Sequence, residues 1–144
     1  MTQAVETERN KATLERFMEA MSSTDAGIIS NTIDEFYATD AVIYTPVLDI
    51  TGPRAQKEVF ARLLRAYPDL HIAVQDVLAE GDKVVVRDLV SGTHKGEYMG
   101  IPPSGKAVTY NEIFIMRFAN GRIVEGWGVI DVFSQMRQLG AISV

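Results

Sequence analysis

The chain has 144 residues, of which 47% are hydrophobic and 23% charged, a composition typical of one globular domain over residues 1–144. Its formal net charge of -5 disfavours nucleic acid and anionic membrane surfaces as partners, because both are negatively charged. The chain has no cysteine, which excludes disulfides, thiolate metal ligands and cysteine nucleophiles.

No segment has the pattern of a targeting or membrane-spanning sequence. The N-terminus is polar and acidic and lacks the apolar centre of a signal peptide. No later segment approaches the roughly 18 uninterrupted apolar residues that a membrane helix needs. We therefore expect a cytoplasmic protein with no membrane partner.

The first half of the chain predicts three helices. An apolar stripe at helical spacing predicts an amphipathic helix over residues 8–21. A second helix is expected over residues 28–36 and is closed by residues 37–40, and a short β-branched strand follows at residues 41–45. A third helix is expected from Gly52-Pro53, where proline suits the first turn, to the residues just before Pro68.

The second half predicts strands. Alternating patterns with turn residues between them indicate strands over residues 70–78, 83–93, 108–118 and 122–130, followed by a short helix over residues 132–139. Helices that come first and antiparallel strands that come later predict an α+β domain, in which helices cover one face of a curved antiparallel sheet.

Five segments resemble one known family. They are FYATDAVIYTP, GPRAQKEVFARLLRAYPDLHI, EGDKVVVRDLVSGTHKGEYMGIPPSGKAVTY, MRFANGRIVEGW and MRQLG, and together they are similar to the SnoaL-like polyketide cyclases of the NTF2-like superfamily. The resemblance implies a cone that encloses an apolar pocket for a small cyclic ligand. It also implies a homodimer formed through the sheet and a protein without a cofactor.

The turn at residues 118–122 decides which side chains face the pocket. A two-residue turn at Asn120-Gly121 would pair Ala119 with Arg122, whereas a turn with Gly121 as a bulge would pair Phe118 with Arg122. We prefer the bulged register. It gathers one largely apolar face, which consists of Glu112, Phe114, Met116, Val124, Gly126, Gly128 and Ile130, and we expect its two glycines to leave empty volume. The other register would instead bring Glu125, Trp127 and Asp131 onto the face of Glu112.

Glu112 is the main candidate for a catalytic base. The resemblance implies a base at a strand aspartate, and that position corresponds to Gly128, so the expected carboxylate is missing. An apolar surrounding would raise the pKa of Glu112 towards the range that suits a general base. The alternative, a glutamate that reaches solvent at the rim, stays open because a buried acid without a partner is costly.

His94 is the second catalytic candidate, because a histidine can polarise a ligand carbonyl. The alternative is that it anchors the loop after its strand. Asp131 is interpreted as the N-cap of the last helix. The two histidines have no spacing that suits a metal site. Further side chains are expected to line the pocket: Tyr44, Phe60, Tyr98, Met99, Phe114 and Met116, with Gly126 and Gly128.

Two functions remain open. One is an enzyme that acts by proton transfer on a small cyclic carbonyl-bearing molecule, with Glu112 as base and His94 or Tyr98 assisting. The other is an accessory protein of the same fold that binds a ligand without converting it, which the replacement by Gly128 favours. A water-activating hydrolase or hydroxylase is disfavoured, because no cluster of polar residues can be assembled from the predicted strands.

Overall fold

The computed structural model describes residues 2–143, and it confirms the α+β prediction. The four helices are α1 (Gln3–Met21), α2 (Ala26–Phe36), α3 (Gly52–Ala66) and α4 (Val132–Gln138). The six strands are β1 (Tyr37–Tyr44), β2 (Asp49–Thr51), β3 (His71–Glu80), β4 (Lys83–Thr93), β5 (Ala107–Ala119) and β6 (Arg122–Ile130). Residues 37–40 begin β1 rather than close α2, and β2 was not predicted. None of the helices in the described part of the chain is long and apolar enough to cross a membrane.

The strands form one curved sheet in the order β2-β1-β6-β5-β4-β3. Neighbouring strands are antiparallel except β1 and β6, which are parallel, so the sheet is mixed and the expectation of a wholly antiparallel one is wrong. The physical reason is the connection. Strands β3, β4, β5 and β6 follow one another along the chain with no helix between them, whereas α3 and four strands separate β1 from β6, and such a long crossover permits parallel pairing.

A bulge in β6 fixes which side chains of the last hairpin share a face. Asn120 and Gly121 both have positive φ, at 52° and 76°, and Ala119 pairs with Arg122, so the turn has two residues and the prediction of Gly121 as a bulge is wrong. Phe118 then pairs with Ile123 but Arg117 pairs with Glu125, which leaves Val124 as the extra residue.

The bulge restores the predicted face in spite of the different turn. Beyond Val124, Met116 lies opposite Gly126, Phe114 opposite Gly128, and Glu112 opposite Ile130. The prediction that these side chains share the face of Glu112 is therefore confirmed, although each partner differs by two residues from the expected one.

The helices cover the concave face of the sheet. Alternate residues of β4, which include Val84, Val86 and Val90, are buried against them, as the two-residue period of a half-buried strand requires. The helices contribute Leu14, Met21 and Ile33 to the same core, and all three are fully buried. The apolar stripes read in the sequence therefore meet in one core between helices and sheet.

The convex face of the sheet carries exposed apolar side chains. Ile113, Ile115 and Val129 are 44%, 38% and 70% exposed, and Trp127 lies among them, on the side away from the core as the preferred register predicts. Tyr44 stacks on Trp127 with ring centroids 6.5 Å apart. Tyr44 thus lies outside the pocket in which we expected it, because alternation along β1 turns its neighbour Ile43 into the core.

Asp131 is the N-cap of α4, as predicted. Its Oδ1 accepts a hydrogen bond of 3.0 Å from the backbone N–H of Ser134, which would otherwise lack a partner at the start of the helix.

We expect Asp131→Ala to lower the free energy of unfolding by about 1 kcal/mol, because one helix-end N–H loses its acceptor. Urea denaturation with Asp131→Asn as the matched control measures this, since asparagine can also cap. A loss of equal size in both variants would contradict a capping role.

Candidate active site: a carboxyl pair beside an apolar cavity

A cavity of about 400 Å³ lies between the concave face of the sheet, α1, α3 and the loop that follows β4. Its wall is mostly apolar. Five of the side chains expected in the pocket lie on this wall, namely Phe60, Tyr98, Met99, Phe114 and Met116. The charged side chains on the wall are Arg62, Arg65, Glu97 and Glu112.

The two glycines of β6 do not leave empty volume, contrary to our expectation. A Cβ at Gly126 would lie 2.5 Å from Met116 Sδ, and one at Gly128 would overlap the ring of Phe114. Neighbouring side chains on β5 thus fill the space above both glycines, and neither glycine lies on the cavity wall. The position that the resemblance assigned to a catalytic aspartate is covered by an aromatic ring.

Glu112 lies directly opposite a second carboxyl, Asp88, on the neighbouring strand β4. Asp88 has 0% exposure, and neither of its carboxyl oxygens has a hydrogen-bond partner among the described residues when both acids are ionised. Glu112 is half-buried, and the surface that it keeps faces the cavity. None of the ion pairs found within residues 2–143 includes either acid. Two carboxyls therefore share one desolvated position without a cation.

Burial raises the pKa values of both acids, and repulsion by Asp88 raises the pKa of Glu112 further. Desolvation raises the pKa of Asp88 to about 6, while a hydrogen bond with Glu112 acts in the opposite direction. Desolvation, the charge of Asp88 and the same hydrogen bond raise the pKa of Glu112 well above its usual value. Because the two groups interact strongly, a bound proton belongs to the pair rather than to either acid, and above the pKa of Asp88, about 6, the pair carries negative charge.

Two tyrosines on the cavity wall, Tyr98 and Tyr110, interact with the pair, and a third, Tyr67, packs against Tyr98. Burial raises the pKa of Tyr98 to about 12 and the pKa of Tyr110 well above its usual value, and the charge of Glu112 acts in the same direction on both. Burial also raises the pKa of Tyr67, whose hydroxyl accepts a hydrogen bond of 2.8 Å from Gln135 Nε2. All three phenols therefore stay protonated at neutral pH and can donate hydrogen bonds.

His94 does not lie on the cavity wall. It is fully buried, and its Nδ1 accepts a hydrogen bond of 3.2 Å from the backbone N–H of Ser104 and contacts Ser104 Oγ at 2.9 Å. Its own backbone bonds to Lys106 and Gly105. These contacts agree with the alternative interpretation, in which His94 anchors the loop, and give it no contact with the cavity.

The loop over residues 94–106 closes one side of the cavity. Its base lies so close to α3 that a Cβ at Gly96 would overlap the carbonyl of Arg65. Its tip is a tight turn in which Tyr98 and Ile101 pair, and Met99 and Gly100 have positive φ of 50° and 81°. A non-glycine residue in this conformation costs of order 1 kcal/mol, and here it places Tyr98 and Met99 on the cavity wall.

Comparison with known proteins agrees with this architecture. A model of the family described as SnoaL-like polyketide cyclase matches residues 12–139. The chain belongs to this family. A search of curated proteins found no match.

Several solved structures of the SnoaL-like fold are similar to this chain over almost its full length. AclR from Streptomyces galilaeus, a candidate hydroxylase, is 28% identical, with 95% of this chain and 99% of that chain covered and a TM-score of 0.83. IdmH from Streptomyces antibioticus, a candidate polyketide cyclase, is 31% identical, with 91% and 98% covered and a TM-score of 0.78. A candidate SnoaL-like polyketide cyclase from Jannaschia sp. CCS1 is 23% identical, with 95% of both chains covered and a TM-score of 0.86.

Asp88 was missed by the sequence analysis, although the pattern of β4 contains a signal for it. Asp88 continues the alternation of Val84, Val86 and Val90, which places an acid on the buried face of the strand. An acid at an apolar position of an alternating strand is uncommon enough to mark a site.

Because of the pair, the free energy of unfolding falls as the pH rises. Folding raises both pKa values, so the native state holds protons more tightly, and the stability present below about pH 4 is lost as the pH rises through 6 and beyond. We expect the free energy of unfolding of the native protein to fall more steeply between pH 4 and pH 8 than that of Glu112→Gln, because the variant lacks the second titrating acid. Urea denaturation at both pH values measures the difference, with Glu80→Gln at an exposed strand end as control. Parallel pH profiles of the native protein and Glu112→Gln would contradict this linkage.

Proposed function

We propose that this SnoaL-like protein is an enzyme that acts by proton transfer on a small cyclic carbonyl-bearing molecule held in the cavity. The observation that carries the proposal is the carboxyl pair, in which Glu112 faces the cavity and Asp88 lies behind it without a cation. Functional sites are where like charges and burial shift pKa values in this way. The similarity to IdmH, a candidate polyketide cyclase, supports the same class of reaction.

The roles follow from the positions of the groups. Glu112, as carboxylate, takes a proton from the carbon beside a carbonyl, and the electron pair of that C–H bond forms an enolate. Tyr98 stays protonated because its pKa is about 12, so its hydroxyl can donate a hydrogen bond to the enolate oxygen. If the enolate carbon bonds to a second carbonyl carbon, the new alkoxide takes the proton back from Glu112. Asp88 acts as a positioning residue: it lies opposite Glu112 and holds the proton of the pair while Glu112 is the carboxylate.

The proposal can be tested without knowing the natural substrate. In D₂O, a base that removes and returns a proton exchanges the hydrogen beside a carbonyl for deuterium, and NMR of tetralone and related cyclic ketones records this exchange. We expect the protein to accelerate it and Glu112→Gln to reduce the acceleration by a factor on the order of a hundred, because the amide keeps the shape and lacks the base. Glu80→Gln should exchange as fast as the native protein. Equal rates for Glu112→Gln and the native protein would contradict the role of Glu112.

A binding protein without catalysis is the second candidate. It is favoured by Gly128, which lacks the side chain of the implied family base and is covered by Phe114. Cyclic ketones that bind in the cavity but exchange no faster than in buffer would support this candidate over the enzyme.

We also propose that the protein forms a homodimer through the convex face of the sheet. That face carries Ile113, Ile115, Trp127 and Val129, all at least 36% exposed, and contiguous apolar surface of this kind is typical of an interface.

Sedimentation velocity at micromolar concentration tests the dimer. We expect the native protein to sediment as a dimer, and Val129→Lys to sediment as a monomer, because a charge would enter a desolvated interface. Val5→Lys on α1, at a side chain that is also about half exposed, should leave the dimer intact. A native protein that sediments as a monomer would contradict the proposal.

A further inference from the structure

Two arginines of α3, Arg62 and Arg65, lie on the wall of the cavity. Arg62 and Arg65 are three residues apart, so they lie on the same side of the helix, and both contribute to the cavity wall. Both side chains are exposed. They therefore lie where the cavity opens to solvent.

The other cations of α3 have acidic partners. Arg54 lies 3.6 Å from Glu58, and Lys57 lies 2.8 Å from Asp34. Within residues 2–143, by contrast, Arg62 and Arg65 make no ion pair and no side-chain hydrogen bond. The chain has more acidic than basic residues, with a net charge of -5, so a shortage of acids does not explain why these two arginines lack acidic partners.

The remaining acids of the wall do not neutralise the arginines. Glu97 accepts a hydrogen bond of 2.5 Å from the backbone N–H of Gly100 and so stabilises the turn at the loop tip. Glu112 belongs to the carboxyl pair, on the strand side of the cavity. Within residues 2–143 neither acid forms an ion pair with Arg62 or Arg65, so the wall carries two unpaired cations on α3 and the carboxyl pair on the strand side.

We propose that the ligand is an amphipathic anion, whose ring system fills the apolar part of the cavity and whose carboxylate or phosphate group is bound by Arg62 and Arg65. Guanidinium groups bind both anions through paired hydrogen bonds. The negative charge shared by Asp88 and Glu112 repels an anion from the other end, so the ligand enters with its carbonyl-bearing ring first. This inference rests on the proposed function for the position of the reacting ring, but the binding of the anion is independent of catalysis.

Arg65 also lies in the last turn of α3, where a cation interacts favourably with the helix dipole. That role would explain an effect of Arg65 on stability. It explains neither Arg62, which lies before the last turn, nor any preference of the cavity for an anion.

Isothermal titration calorimetry with three probes of the same ring tests the inference: naphthoate, naphthyl phosphate and the uncharged methyl naphthoate. We expect at least one anion to bind the native protein on the order of fivefold more tightly than the ester, as exposed charge pairs allow. Added salt should reduce this preference. Whichever anion gains more identifies the group that the arginines prefer.

The double variant Arg62→Gln, Arg65→Gln should bind the ester as the native protein does and lose the preference for the anions. Arg54→Gln on the same helix should keep it. Equal affinity of the native protein for ester and anions, absence of binding by both anions, or an unchanged preference in the double variant would overturn the inference. Deuterium exchange that depends on Glu112 would then still support the proposed function. An anion preference without exchange would support the inference alone.

Discussion

The extra residue Val124 in β6 decides which side chains the last strand turns towards the helices. Without it, the two-residue turn at Asn120-Gly121 would bring Trp127 to the concave face and remove both glycines from it. With it, small residues lie opposite Phe114 and Met116, and the larger side chains of β5 can lie across β6. The shape of the cavity, and the side of the sheet on which the large aromatic ring lies, both depend on this one irregularity.

The carboxyl pair shows how a fold can hold two acids close together at a desolvated position. Strand pairing places Asp88 opposite Glu112, so separating them would require a change of register along the whole of β4 and β5. The long ladder holds the acids together against their repulsion, and a shared proton lowers the cost. The site therefore depends on backbone hydrogen bonds far from it, as much as on the side chains that surround it.

The architecture could be predicted largely from periodicity. Strands β4 and β6 begin and end at the residues that the alternating sequence pattern predicts, and the apolar stripes of α1 and α3 face the core. The parallel pairing of β1 with β6 could not be predicted, because no local pattern specifies which distant strands become neighbours. The face of Glu112 was predicted correctly for the wrong local reason, since a bulge three residues beyond the turn restored it.

The candidate site was harder to predict than the fold. Glu112 was found because its pattern marked it as an acid on an apolar face, and the same argument applied to Asp88 would have found its partner. Tyr67, Tyr98 and Gln135 come from a helix end, a loop and the last helix, and only tertiary packing brings them together. His94 was weighed as either catalytic or structural, and only the contacts with Ser104 distinguish the two.

The strand order has a consequence for how the chain is made. Strand β6 lies between β1 and β5, in the interior of the sheet, yet it is the last strand to leave the ribosome. Until it emerges, β1 and β2 have no partner in the rest of the sheet, and the apolar side chains of α2 and β1 remain incompletely covered. Contacts between residues so far apart in sequence form slowly. The sheet therefore stays incomplete, with an unpaired edge exposed to aggregation, until β6 has been synthesised.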